Sequence, residues 1–248
     1  MKASLRRTLT VFVGLITLWW LITLGTIPAF LLPSPASVAR ALWINRDYLA
    51  YHTMTTAAEI ACGMAVGVAL GSLLALLMIF SPRLQRWLMP LVLTSQAIPV
   101  FALAPLLVLW FGFDMSAKVV MAVLVIFFPV TSAFFDGLRR VSQDYLDLAS
   151  TMGASRWAIL RHVRLMAALP AFGSGLRMAA AVAPIGAIIG EWVGSAQGLG
   201  FVMLNANARM QSDLCFAALL ILIVMTLSLW AATDALLRRL IDWTPEHN

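Results

Sequence analysis

Gly173, Ser174 and Gly175 place a hydroxyl between two small residues, a setting in which serine becomes a nucleophile if an imidazole takes its proton. The imidazoles on offer are His52, His162 and His247, and neither His52 nor His162 falls within an apolar run at the depth of Ser174. Nucleophilic catalysis is therefore not expected. The same histidines are too scattered to share a metal ion, and neither Cys62 nor Cys215 has a second ligand nearby, so no metal site is expected. A nucleotide-binding loop of the form G-x-x-x-x-G-K-[ST] needs a lysine after a glycine, and neither Lys2 nor Lys118 follows one. This chain should hold no cofactor of its own, and any ATP hydrolysis that drives it belongs to another chain.

What remains is a set of ionisable groups among apolar residues: Glu59, Arg177, Glu191 and Asp234. A charge at the centre of a bilayer costs about 2.5 to 3.5 kcal/mol on insertion scales, so such groups usually serve a cavity, a partner or a helix end. Glu59 and Glu191 are expected near one membrane boundary and Asp234 near the other, facing headgroups or water. Arg177 stands deeper in its run and either snorkels to the nearer surface or faces an aqueous pathway.

These residues are set in a chain that is 62% hydrophobic and 11% charged, with a mean hydropathy of +0.92. A soluble domain needs a far more charged surface, so the solvent is lipid. Runs of about 20 apolar residues cross a bilayer as helices, and six occur, at about 8–27, 57–80, 88–112, 118–136, 166–190 and 214–236. They are continuously apolar, without the alternation of barrel strands. The expected fold is an all-α polytopic membrane protein, one domain over 1–248 with six transmembrane helices. The first run follows Lys2, Arg6 and Arg7 but is long for a signal peptide and has no small-x-small site, so it is expected to stay as a helix.

With a cytoplasmic N-terminus, 12 of the 17 Lys and Arg fall on the inner side, and only Arg40, Arg46, Lys118 and Arg209 fall outside. That bias satisfies the positive-inside rule and places both termini in the cytoplasm of a cell inner membrane. The net charge of +6 is thus distributed by topology, which argues against a nucleic-acid partner. Both cysteines are expected to be buried thiols.

Within the runs, Gly63, Gly67 and Gly71 form a small-residue stripe that admits another helix, from this subunit or from a second one. Pro99 and Pro105 interrupt the third run after Ser95 and Gln96, which predicts a kinked helix, lining a pathway or needed only for packing. Between the first and second runs, a Pro-rich start and an amphipathic portion predict a short helix on the outer surface.

The longest polar stretch is the loop 137–165, which contains DYLDLASTMGASRWAILRHVRL. Leu146, Ala149, Met152, Ile159 and Val163 recur at helical spacing with Gly153 between them, which predicts two amphipathic helices and a turn. A connector of this length and pattern is better explained as a docking surface than as a simple link.

Asp147, Ala149, Gly153, Val163 and Leu165 match the spacing of the EAA loop, E-A-A-x-x-x-G followed by I-x-L-P, with Asp for Glu, Leu148 for Ala, Val for Ile and Met166 for Pro. Together with AIPVFALAPLLVLWFG, MGASRW and LPAFGSGLRMAAAVAPIGAIIGEWVGSAQGLGFVM, the chain resembles permease subunits of bacterial binding-protein-dependent ABC importers, in the nitrate, sulfonate and taurine branch. The segment GEWVGSAQGLGFVMLNANARMQSDLCFAALL is most similar to permeases for hydroxymethylpyrimidine, a thiamine precursor. The resemblance implies a second permease copy, cytoplasmic ATPase subunits that bind ATP and Mg, and an extracytoplasmic binding protein. It implies that Asp147, Ala149 and Gly153 shape a coupling helix, with Ser155, Arg156 and Trp157 at the ATPase contact. The missing proline at Met166 implies a softer break before the next span. Alternating access needs contacts that differ between two states, and Gln96, Phe101, Arg177, Glu191 and Trp192 are the candidates for the path. A self-powered secondary transporter would need midplane ion sites and typically a repeated half, neither of which is evident. A membrane enzyme or assembly factor is disfavoured because no acid, base or metal cluster converges.

Overall fold

A computed structural model describes residues 2–25, 27–241 and 243; His247 lies outside the described residues. Among the described residues every regular element is helical: α1 Lys2–Thr23, α2 Pro35–Ile44, α3 Arg46–Phe80, α4 Pro82–Ala97, α5 Val100–Phe111, α6 Met115–Arg139, α7 Gln143–Thr151, α8 Arg156–Ile159, a π turn Leu160–Arg164, α9 Leu165–Gly194, α10 Leu199–Ala208 and α11 Ser212–Leu240.

Four helices are long and apolar enough to cross a membrane among the described residues: Arg46–Phe80, Met115–Arg139, Arg156–Gly194 and Ser212–Leu240. A fifth crossing results if α4 and α5 together count as one broken span. Among the described residues the first run, within α1, contributes the shorter apolar helix Val13–Thr23, so the count of six spans is not confirmed. The third expected span is not a single kinked helix but two helices set at 102°. Pro99 explains the break: it drives Ile98 out of helical geometry, to φ −89° and ψ 118°, and a new helix starts at Val100. The second expected span is longer than its apolar run, since α3 already begins at Arg46.

The chain divides into two compact units, Met1–Thr55 with Ala196–Ile223 and Thr56–Ser195 with Val224–Asn248. In the first, Ser34 caps α2 by accepting from the Ser37 amide at 3.2 Å, and Pro35 opens the helix where no amide donor is needed. Trp19 stacks on Phe216 and donates from Nε1 to the Pro33 carbonyl. His52, outside the apolar runs, is buried; its Nδ1 accepts the Gly198 amide at 2.9 Å among Tyr48, Tyr51 and Phe201.

The second unit is built around α6 and α9, with Ala122, Ile126, Val130, Ala179, Ala183 and Ala187 in its core. The glycine stripe of α3 packs here, within the subunit. A Cβ on Gly63 would come within 2.5 Å of Ala122 Cβ, one on Gly67 within 2.7 Å of Ile126 Cγ2, and one on Gly71 within 2.8 Å of the Phe127 carbonyl oxygen. The helices approach so closely that only hydrogen fits. Cys62 is exposed and Cys215 half-buried, so neither is the buried thiol expected from its apolar neighbours.

Candidate functional site

The polar stretch folds as a helix, a turn and a second helix. Asp144 lies in the first turn of α7, where the helix dipole favours a carboxylate, and Gln143 Nε2 donates to Asp147 Oδ1 at 2.9 Å. The helix stops at Gly153, whose φ of +79° lies in the left-handed region that favours glycine. Two bonds close the turn: the Gly153 amide donates to the Ser150 carbonyl at 2.9 Å and the Ala154 amide to the Ala149 carbonyl at 3.0 Å. This pair of bonds is the Schellman termination, in which the residue four before the left-handed glycine supplies the outer acceptor. The Ala149 to Gly153 spacing therefore has a backbone cause.

Ser155 starts the second helix by accepting from the Ala158 amide at 3.2 Å. Arg156 and Trp157 follow on an exposed face, and the Trp157 ring stacks on Phe80, at the end of α3. A cavity of about 290 Å³ is lined by α7, the Arg156–Arg164 segment and the end of α3, with Phe80, Leu146, Asp147, Arg156 and Arg164 among its residues. No break precedes the next span. Arg164 and Leu165 keep helical angles, and α8, the π turn and α9 run as one helix from Arg156 to Gly194. Met166 leaves the backbone donor in place that a proline would have removed.

The five candidates for a path divide into two groups. Gln96, Phe101 and Trp192 are exposed on α4, α5 and α9. Arg177 neither snorkels alone nor stands free: its Nε donates to Asp234 Oδ1 at 2.6 Å, and Arg238 Nε donates to Asp234 Oδ2 at 2.8 Å. Glu191 does not face headgroups. It is 1% exposed and accepts from Thr56 Oγ1 at 2.6 Å.

Glu59, also 1% exposed, accepts from Lys118 Nζ at 2.8 Å. Lys118 is thus a buried ion-pair partner and not the outer-surface cation that topology counting made of it. Nothing local in the sequence marks these contacts, because Glu59 and Lys118 are 59 residues apart and Thr56 and Glu191 are 135 apart. The one available signal was chemical: a carboxylate in an apolar run needs a partner, and few cations share its depth. Among the described residues no group of three His, Cys, Asp or Glu is placed to hold a metal ion.

Residues 67–242 match the family described as binding-protein-dependent transport system inner membrane component. This chain belongs to that family. The "Probable ABC transporter permease protein" of Haemophilus influenzae is 51% identical to this permease over 242 residues, covering 97% of this chain and 99% of the relative. The formylaminopyrimidine transport permease protein ThiX of Halalkalibacterium halodurans is 36% identical over 233 residues, covering 94% and 93%. Among solved structures, the MetNI methionine ABC transporter matches with a TM-score of 0.60 at 20% identity, over 80% of this chain and 96% of the other, a likeness of fold. The permease is thus a multi-pass inner-membrane subunit of an ABC transporter, in the branch its sequence resembles. The reading as a self-powered secondary transporter gains no support.

Proposed function

We propose that residues 143–164 dock a separate ATP-hydrolysing subunit, which binds the ATP and Mg, and that its closure reorients the spans of this permease. Asp147, Ala149 and Gly153 shape the docking turn, and Ser155, Arg156 and Trp157 lie at the contact. The observation that carries this reading is the glycine-terminated turn between an exposed helix and one that continues without a break into a span. A push on the turn is then a push on α9.

Two copies of the permease form the path, and an extracytoplasmic binding protein delivers the solute. Both termini and the docking turn face the cytoplasm. Gln96, Phe101 and Trp192 line the path, whereas Arg177 and Glu191 hold helices together at its walls. The solute is a small polar pyrimidine of the thiamine-precursor type, hydroxymethylpyrimidine or its formylamino relative, in preference to a sulfonate, taurine or nitrate. The 36% identity to a formylaminopyrimidine permease supports that class.

Gly153→Leu tests the docking role. The space beside Gly153 is open, so the cost comes from the backbone, about 1 to 2 kcal/mol for a left-handed non-glycine residue. The variant should insert normally yet lose co-purification of the ATPase and substrate-stimulated ATP hydrolysis. Wild-type values of both would reject the docking role. The solute class is tested by the ligand that the cognate binding protein carries, and a taurine or sulfonate ligand would replace the pyrimidine reading.

A further inference from the structure

The cavity between α7, the Arg156–Arg164 segment and the end of α3 has walls of two kinds. Ile79, Phe80, Leu146 and Leu160 make one side apolar, while Arg156, Arg164 and Asp147 bring two cations and an anion to the same space. Arg156 and Arg164 are eight residues apart, which in a regular helix leaves them about 80° out of line. The π turn Leu160–Arg164 lies between them, and its wider winding returns part of that rotation, so both residues line one cavity.

These charges do not satisfy one another. Among the described residues neither Arg156 nor Arg164 pairs with a carboxylate, and the Asp147 carboxylate accepts an uncharged donor, Gln143 Nε2. Arg164 is half-buried, and its Nη1 reaches the Leu138 carbonyl at 3.4 Å, longer than an ordinary hydrogen bond. Opposite charges held apart across a cavity complement a ligand that carries both signs, with its anion at the guanidiniums and its cation at the carboxylate.

The cavity also sits where a span ends. Phe80 is the last residue of the membrane-crossing helix α3, and Ser81, Arg83 and Arg86 follow it. The Arg156–Arg164 segment runs on into the span that ends at Gly194. Phe80 is exposed, so the apolar wall is open at the level where phospholipid headgroups meet hydrocarbon, and basic pockets at that level hold headgroups. The volume, about 290 Å³, is at the lower end of the ~300 to 1,000 Å³ of ligand pockets, enough for a headgroup and too little for a helix of a partner.

We propose that this cavity binds the headgroup of an amine-bearing phospholipid, of the phosphoethanolamine type. The phosphate lies between Arg156 and Arg164, whose planar guanidiniums suit phosphate oxygens. The ammonium faces Asp147, and the glycerol end leads past Ile79 and Phe80 into the bilayer. Arg156 and Asp147 are shared with the docking turn, whereas Arg164 and the end of α3 belong to the lipid site alone.

Native mass spectrometry of the full-length permease, which counts bound lipids, tests the proposal. Titrated with phosphatidylethanolamine and phosphatidylglycerol of equal chain length, the wild type should hold its first molecule of the amine lipid more tightly. Arg164→Gln should weaken that binding about tenfold or more, and Arg239→Gln, which removes an exposed charge that does not line the cavity, should leave it unchanged. If Arg164→Gln fails to fold, Asp147→Asn at an exposed position decides, because it should erase the preference for the amine lipid. The proposal is overturned if the wild type shows no preference, if Arg164→Gln binds like the wild type, if the preference survives Asp147→Asn, or if free phosphoethanolamine binds as tightly as the lipid. Expulsion of the lipid on assembly with the ATPase subunit would also overturn it, by giving the cavity to a side chain of that subunit. The docking role is read separately, from ATPase co-purification with Gly153→Leu, so either reading can fail without the other.

Discussion

Phe80 and Trp157 stack with ring centroids 6.3 Å apart and planes within 10° of parallel, joining the last residue of α3 to the second residue of α8. Trp157 is nonetheless 62% exposed, so one face of the indole braces α8 on the end of α3 while the rest stays uncovered. An aromatic pair of this kind contributes about 0.5 to 1.5 kcal/mol beyond the area it buries.

Trp157→Ala should therefore leave membrane insertion and helix content unchanged and reduce substrate-stimulated ATPase activity in the assembled transporter. Phe80→Ala should produce a weaker loss of the same kind, because it removes the stack but not the exposed indole. Equal activity in all three proteins would show that neither ring takes part in coupling.

Gly67→Leu should destabilise the second unit, since its Cβ alone would meet Ile126 within 2.7 Å. Overpacking of this sort costs about 1 to 3 kcal/mol. Thermal unfolding in detergent should show a lower midpoint, partly restored by adding Ile126→Ala. A midpoint unaffected by Gly67→Leu would mean that the α3 stripe does not pack on α6.

Asp234→Ala should weaken the tie between α9 and α11, because Arg177 and Arg238 both lose their acceptor. A hydrogen bond to a charged group contributes about 1.5 to 3 kcal/mol. The exchange Arg177→Asp with Asp234→Arg should recover part of the lost thermal stability, and a failure of either change to alter it would refute the tie.

A reporter inserted after His162 should behave as cytoplasmic, and one inserted after Arg209 as extracytoplasmic. Labelling of the His162 site by a membrane-impermeant reagent from outside would invert the proposed topology.

Local patterns in the sequence anticipated what local forces decide. The periodicity of Leu146, Ala149, Ile159 and Val163 around Gly153 foreshadowed the two helices and their turn, because a glycine-terminated helix is held by bonds within six residues. Pro99 signalled an interruption, yet the 102° angle depends on how α4 and α5 pack, which no dipeptide encodes. The partners of Glu59, Glu191 and Arg177 were not legible for the same reason. Each meets a residue at least 57 positions away, and a rule that assigns charges by distance along the chain sends Lys118 to the surface. The missing proline at Met166 suggested a softer break; the consequence is larger, since helical geometry runs on through Arg164 and Leu165 and no break separates α8 from the span.

If residues 143–164 dock the ATPase as proposed, the helix from Arg156 to Gly194 works as an oar. At about 1.5 Å per residue its 39 residues reach nearly twice the thickness of a bilayer's hydrocarbon core. With Trp157 near the handle and Glu191 near the blade, a tilt imposed at one end sweeps the other in the opposite sense. Pro170, Pro184 and the π turn are where such a shaft can flex, so stiffness at those three places sets how much of a stroke is delivered and how much is lost in bending.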